Sequence, residues 1–350
     1  MKDKSVKANA AKLINVPTTL FIDTSYYVSQ GLKFTTSDIE KLKKHFKPKS
    51  LRLIVPVVAR RELEKKFGER ADAAVQAIHK AEQEHPIGLM SNWPYANKSE
   101  LKMKLLALLE SEWGKFQAHF KVVRLADNGN LEQVLDWFFD KKPPFGEGKK
   151  EKEFPDALMI SVLDKYCAKH KVKIAVISLD PDFLKACESR PNFEYFKSLA
   201  PYLEKSIAEQ TIVQRIHELL AEKDDVFRTG IIAHHFETLE FTVGQDWEGC
   251  CVSDLEDINV EVQEQSVIDL EGTKFTVAAE GFVSFKVNWE RLEFSPYSEL
   301  RDARRYTTSG RIRFTATVEM KADAEFKELK LEDYSITHFS PESIFINYEQ

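Results

Sequence analysis

With 350 residues, 43% of them hydrophobic, the chain can bury a sizeable core and is expected to form about two domains. No apolar run approaches the roughly 18 residues of a membrane span, and Lys12, Asn15 and Pro17 break the stretch after the basic start, which argues against a membrane protein or a secretory leader. The net charge of -6 hides an imbalance: residues 1–200 carry 35 Lys and Arg against 26 Asp and Glu, whereas residues 201–350 carry 15 against 30. A basic half suits a polyanionic partner.

In chain order, "PTTLFID" at 17–23 reads as a strand ending at Asp23. The lysine-rich amphipathic stretch "DIEKLKKHFKPKS" leads to a second strand, "LRLIV", and Pro56 is expected to open a helix reaching about Phe67. Helices are expected near 71–84, 99–120 and 130–140, followed by an irregular loop, "KKPPFGEGKKEKEF". A further helix, "DALMISVLDKYCAKH", begins at Asp156 and delivers the chain to "IAVISLDPDF", whose branched residues suit a strand buried on both faces. The order of strands and helices calls for a parallel sheet covered on both sides, an α/β/α arrangement over residues 1–200.

One helix, "PYLEKSIAEQTIVQRIHELLAEK", is expected to bridge residues 201–227. From 228 to 350 the texture is β-rich. Phe275, Val277, Ala279, Gly281, Val283, Phe285, Val287 and Trp289 occupy odd positions, and Ile312, Phe314, Ala316, Val318 and Met320 even ones. Such a period of two predicts half-buried antiparallel strands. Arg301, Arg304, Arg305, Arg311 and Arg313 stand out in this acidic domain; pairing with acids of the same or a neighbouring molecule is expected, with phosphate binding as the second reading.

Ligands of parallel sheets bind beyond the carboxyl ends of the strands. Asp23 ends the first strand, Glu62 follows the second, Asp156 opens the helix before the third, and Asp180 with Asp182 ends that strand. Gathered at one edge, these acids would repel one another unless cations neutralised them, which predicts a site for a hard divalent ion such as Mg²⁺. Each also has a local reading: Asp180 and Asp156 as helix caps, Glu62 as the partner of Lys66, Asp23 as the start of a turn with Thr24 and Ser25. Ser178, two residues before Asp180, can orient a carboxylate or cap a helix. The four cysteines, Cys167, Cys187, Cys250 and Cys251, form no CxxC pair, which fits buried thiols in a reducing, cytoplasmic setting. His234 and His235 have no helical partner at i+4, and no catalytic triad spacing, phosphate-cradling glycine loop or dinucleotide fingerprint occurs.

Four pieces in this order, "LFIDTS", "VPVVARREL", "EFPDALMISVL" and "VISLDPDF", resemble the PIN domain, a family of metal-dependent nucleases found in bacterial toxins, ribosomal RNA processing factors and RNA decay enzymes. The likeness covers about residues 17–200. The run "PPFGEGKKEKEFPDA" is similar to a PIN-like subgroup of bacterial proteins. The stretch between Glu62 and Asp156 is long for a minimal toxin, and the β-rich tail lies outside the shared fold.

The resemblance implies one or two Mg²⁺ or Mn²⁺ ions held by Asp23, Glu62, Asp156 and Asp180, with Asp182 adjoining, and hydrolysis of a phosphodiester. Asp23 and Asp156 would share the metal, Asp180 would support them, Glu62 would orient water, and Asp182 would hold a second ion or an outer water. Cations away from the acids would draw in the substrate: Lys41, Lys43 and Lys44, Arg60 and Arg61, and Lys149 and Lys150. Single-stranded RNA is the expected substrate, with DNA as the alternative and a non-cleaving RNA- or protein-binding scaffold as the rival class. A regulatory protein partner or self-association through the β-rich domain, and a role as toxin or antiviral defence effector, complete the expectations.

Overall fold

The computed structural model describes residues 16–84, 97–126, 129–145, 153–243, 250–293, 302–329, 334–341 and 343–346. The chain forms two compact units that part between Tyr202 and Leu203.

The first unit is built on five parallel strands: β1 (Thr19–Ile22), β2 (Arg52–Pro56), β3 (Lys121–Leu125), β4 (Ile174–Ile177) and β5 (Phe193–Phe196). Their order across the sheet is β3-β2-β1-β4-β5. All four pairings are parallel, with Leu20 beside Leu53 on one side and Ala175 on the other. Every residue of β1 and β4 is buried, as expected of central strands. The sequence reading contained three of these five strands. The two it lacked, β3 and β5, are the edges, where "KVVRL" and "FEYF" carry charges and so lack a continuous apolar run.

Helices α1 (Thr24–Ser29) and α2 (Ser37–His45) lead from β1 towards β2. Helix α3 (Val57–Glu84) follows β2 and is continuous where two helices were expected. Only Gly68 intervenes, and a single glycine costs about 1 kcal/mol, which a long helix with Phe67, Ala71 and Val75 buried can absorb. Pro56 ends β2 instead of opening the helix. Helix α4 (Lys98–Ala118) is capped by Asn97 and α5 (Leu131–Phe139) by Asn130, each side chain accepting a backbone N–H. Helices α6 (Phe154–His170) and α7 (Pro181–Glu188) flank β4 in sequence, and α8 (Leu199–Ser206) spans the division between the units. Phe21, Ile54 and Val176 of the sheet pack with Met159, Ile160 and Leu163 of α6 and Phe183 of α7. Tyr27, Phe34, Trp113 and Phe116 form a second, aromatic cluster with centroids 5.3–5.8 Å apart.

In the second unit, α9 (Gln210–Glu222), a π-helical turn (Val226–Ala233) and α10 (His234–Glu237) precede the strands. The expected single bridging helix is therefore two, and helix continues ten residues past the expected start of the β-rich region. Ile216, Leu219, Phe227, Ile232 and Phe236 share one core with Val277, Val283, Phe285, Phe314 and Val318. An apolar helix face needs cover, and the sheet supplies it. Strands β7 (Cys250–Glu271), β8 (Lys274–Glu293), β9 (Asp302–Lys321) and β10 (Ser335–Ser340) form an antiparallel sheet in the order β10-β9-β8-β7; β6 (Glu240–Val243) pairs in parallel with β11 (Ser343–Ile346). The alternation read from the sequence is the inward face: Phe275 lies opposite Met320, Val277 opposite Val318, and Ala279 opposite Ala316. A side chain at Gly281 would put its Cβ 2.0 Å from the Glu261 carbonyl oxygen, so only glycine fits there.

Candidate metal centre

The order of the sheet reverses between β1 and β4, and the acids gather beyond the carboxyl ends of those strands. Asp23 is the first residue past β1, and its N–H bonds the carbonyl of Ile177, the last residue of β4, at 2.8 Å. Its carboxylate caps α1 by accepting the Ser25 N–H, and the Ser25 hydroxyl donates to the same oxygen. The Ser178 hydroxyl donates to that oxygen as well, at 3.0 Å, and accepts the Asp180 N–H at 3.1 Å. Ser178 is wholly buried, so this bridge holds Asp23 and Asp180 in fixed relation. A second link comes from Leu179, whose N–H bonds the Ser25 hydroxyl at 3.2 Å. Asp180 also caps α7, accepting the Asp182 N–H at 2.8 Å. For both aspartates the local capping reading and membership of the acidic group hold together.

Asp156 enters from the first turn of α6. Carboxylate oxygens of Glu153, Asp156 and Asp180 lie within 4.8 Å of one another, the one such group among the described residues. Burial, then the charges of Asp23, Asp180, Glu62 and Glu153, push Asp156 from 3.8 up to about 8. Burial and Asp23 likewise raise Glu62, against a hydrogen bond from Thr24. Asp23 is raised by burial, opposed by its bonds from Ser25 and Ser178. At neutral pH Asp156 therefore holds a proton where a cation would otherwise compensate its neighbours. The donors are oxygen atoms only, which suits a hard divalent cation and disfavours the soft metals bound by thiolate or imidazole.

The structure thus brings Asp23, Glu62, Asp156 and Asp180 to one edge of the sheet. Asp182 behaves differently: its carboxylate pairs with Lys185 on its own helix at 3.0 Å, and it is absent from the acidic group. Arg60 and Arg61 are exposed in the first turn of α3, on the acidic edge, and Arg60 pairs with Glu64 at 2.9 Å. Lys41, Lys43 and Lys44 lie in α2, which carries the chain back to the edge where the strands begin, and Lys43 pairs with Glu40 at 2.7 Å. Lys149 and Lys150 fall outside the described residues. Glu153 was missed. Its signal was the i,i+3 spacing to Asp156, which places both on one side of a helix start, but it sits in a charged run that reads as a solvated loop.

Cys167 and Cys187 are buried, and burial pushes both thiols up to about 12, so neither supplies a thiolate at neutral pH. His235 packs on Phe339 with centroids 4.9 Å apart, and burial lowers its basicity. No helix among the described residues is long and apolar enough to cross a membrane. Residues 20–183 match the family model described as PIN domain. No curated protein and no solved structure matches the chain.

Proposed function

The first unit of this chain is a PIN domain, a fold of the nuclease type, and from that premise we propose that the protein is a metal-dependent nuclease that cuts single-stranded RNA. The observation that carries this reading is the burial of Asp156 among Asp23, Asp180, Glu62 and Glu153, where burial first and then these charges push it up to about 8. Acids so placed destabilise a fold and are retained where they do chemistry. Asp156, Asp180 and Glu153 would hold the ion, with Mg²⁺ or Mn²⁺ as its identity, and Asp23 would complete the set. When bound, such an ion supplies Lewis acidity and neutralises charge developing at phosphorus.

Around that ion the chain's own groups orient and restrict. Ser25 and Ser178 fix one oxygen of Asp23 with three donors, which sets the orientation of its carboxylate. Glu62, held by Thr24, is the residue assigned to orient the attacking water and accept its proton, a task suited to a carboxylate raised by burial. Asp182 has no part in this assignment, because Lys185 already compensates it.

The experiment is incubation of the purified chain with end-labelled single-stranded RNA and DNA of one sequence, in Mg²⁺, Mn²⁺ or EDTA. Metal-dependent cutting of RNA, lost in Asp156→Asn, is the expected result. Equal cutting of DNA would make the enzyme a general nuclease, and binding without cutting in either metal would reduce the domain to a scaffold.

A further inference from the structure

A cavity of about 510 Å³ lies between edge strand β3 and the second half of α6, and every charged side chain lining it is a cation: Arg52, Lys121, Arg124, Lys165 and Lys169, with His170 beside them. Val123 and Tyr166 give it an apolar floor, and the His170 ring lies 4.3 Å from that of Tyr166. Among the described residues no carboxylate forms an ion pair with Arg52, Lys121, Arg124 or Lys169. Asp164, the nearest acid along the helix, lines a neighbouring cavity with residues 129–133.

Local reasons account for single members. Lysine on an edge strand discourages strand addition, which would explain Lys121. Cations in the last turn of a helix offset its dipole, which would explain Lys169 and His170. Neither explains Arg52, the first residue of an interior strand, nor the convergence of three segments on one cavity. The cavity also has a direction. It is lined from Lys121 at the start of β3 to Ala126 just past its end, so it runs the length of the strand to the edge that bears the acids. On α6 the same polarity recurs: Asp156 and Lys169 are separated by about 20 Å of helix.

We propose that this groove holds the phosphate backbone of a single-stranded nucleic acid and leads it to the acidic edge. The proposal rests on the nuclease reading for its choice of ligand, and it resolves an electrostatic problem of that reading. A polyanion is repelled by the acids themselves, so attraction must come from cations set apart from them and continuous with them. An apolar floor with the adjoining rings of Tyr166 and His170 suits the sequence-tolerant contacts of single strands.

The test is fluorescence anisotropy with a labelled oligoribonucleotide in EDTA, at several salt concentrations, so that binding is read without cleavage. Lys121→Glu combined with Lys169→Glu is expected to weaken binding at least tenfold. It should also flatten the plot of log affinity against log salt by about 1.4, since each phosphate contact on a single strand contributes about 0.7. Asp156→Asn is expected to bind as tightly as the parent or tighter. Both substituted lysines are exposed, and an unchanged melting curve checks the fold. Unchanged affinity and salt slope in the double variant would overturn the groove while leaving the nuclease reading intact. Inorganic phosphate or a mononucleotide binding as tightly as the strand, and lost in the same variant, would overturn it in favour of a small-anion pocket. Strand binding through the groove in a protein that never cuts would refute the nuclease reading and leave the groove standing.

Discussion

The two units treat charge in opposite ways. On the sheet of the second unit, acids face bases across strands: Arg305 pairs with Glu290 at 2.7 Å, Arg311 with Glu261 at 2.7 Å, and Arg313 with Glu280 at 2.8 Å. At the edge of the first unit, acids face acids. Paired charges on an exposed sheet solvate it and discourage wrong partners, and each adds little stability. Like charges drawn together in a partly buried site oppose folding, and the helix caps made by Asp23 and Asp180 leave that repulsion for a counter-ion to offset. The arginines that stood out in the acidic sequence thus belong to the sheet's own surface where the structure describes them, while the acids of the first unit call for something from outside.

The largest expected effect follows from taking away the central acid. Asp156→Asn is expected to reduce cleavage by more than 100-fold, since loss of groups that merely orient a metal ligand already costs 10- to 100-fold. The same change is expected to raise the melting temperature in EDTA, because it removes a repelled carboxylate. A variant that lost activity and stability together would place Asp156 among ordinary structural residues.

Ser178→Ala comes next. It leaves Asp23 with one fewer donor and the Asp180 N–H without its hydroxyl, so cleavage is expected to fall about 10- to 100-fold, with the metal concentration for half-maximal activity rising. A fall in rate that excess metal never offsets would separate this hydroxyl from the metal's affinity.

The pH dependence of stability gives a third test. Asp156 binds its proton more tightly folded, at about 8, than at the 3.8 of a free aspartate. Its contribution is therefore most favourable below about pH 4 and declines as pH rises towards 8. Melting in EDTA is expected to drop between pH 5 and pH 8, and Asp156→Asn is expected to flatten that drop. Added Mg²⁺ or Mn²⁺ is expected to raise the melting temperature more at pH 8 than at pH 5, because protons compete for the same oxygens. A metal-induced shift independent of pH would break the link between the cluster and the cation.

The smallest effect is expected in the second unit. Arg305→Ala removes an ion pair whose arginine side chain is 84% exposed, and the destabilisation is expected to stay under about 1 kcal/mol by urea unfolding. A loss of several kcal/mol would mean that cross-strand charges, and not the apolar face beneath them, hold this sheet.

Much of the fold was legible because its central strands and long amphipathic segments carry strong periodicities. The wholly buried strands β1 and β4 lead into Asp23 and, three residues on, Asp180, and their parallel pairing allowed both acids to be set at one edge in advance. Edge strands β3 and β5 were not legible, since a strand with one open side tolerates lysine, arginine and glutamate. Helix α9 was legible as a helix but not as part of a core: its apolar face says that cover is needed, not what provides it.

By itself the sequence determined the two textures of the chain, the alternation of β8 and β9, and which acids stand at the ends of central strands, because each is a property of neighbouring residues. Only the tertiary structure decided that Glu153 joins Asp156 and Asp180, that Asp182 turns to Lys185, and that Arg52, Lys121 and Lys169 line one groove. Contacts between distant segments depend on how strands are ordered and how helices are turned upon them. Charges on three such segments attract or repel only after the core has set the distances between them.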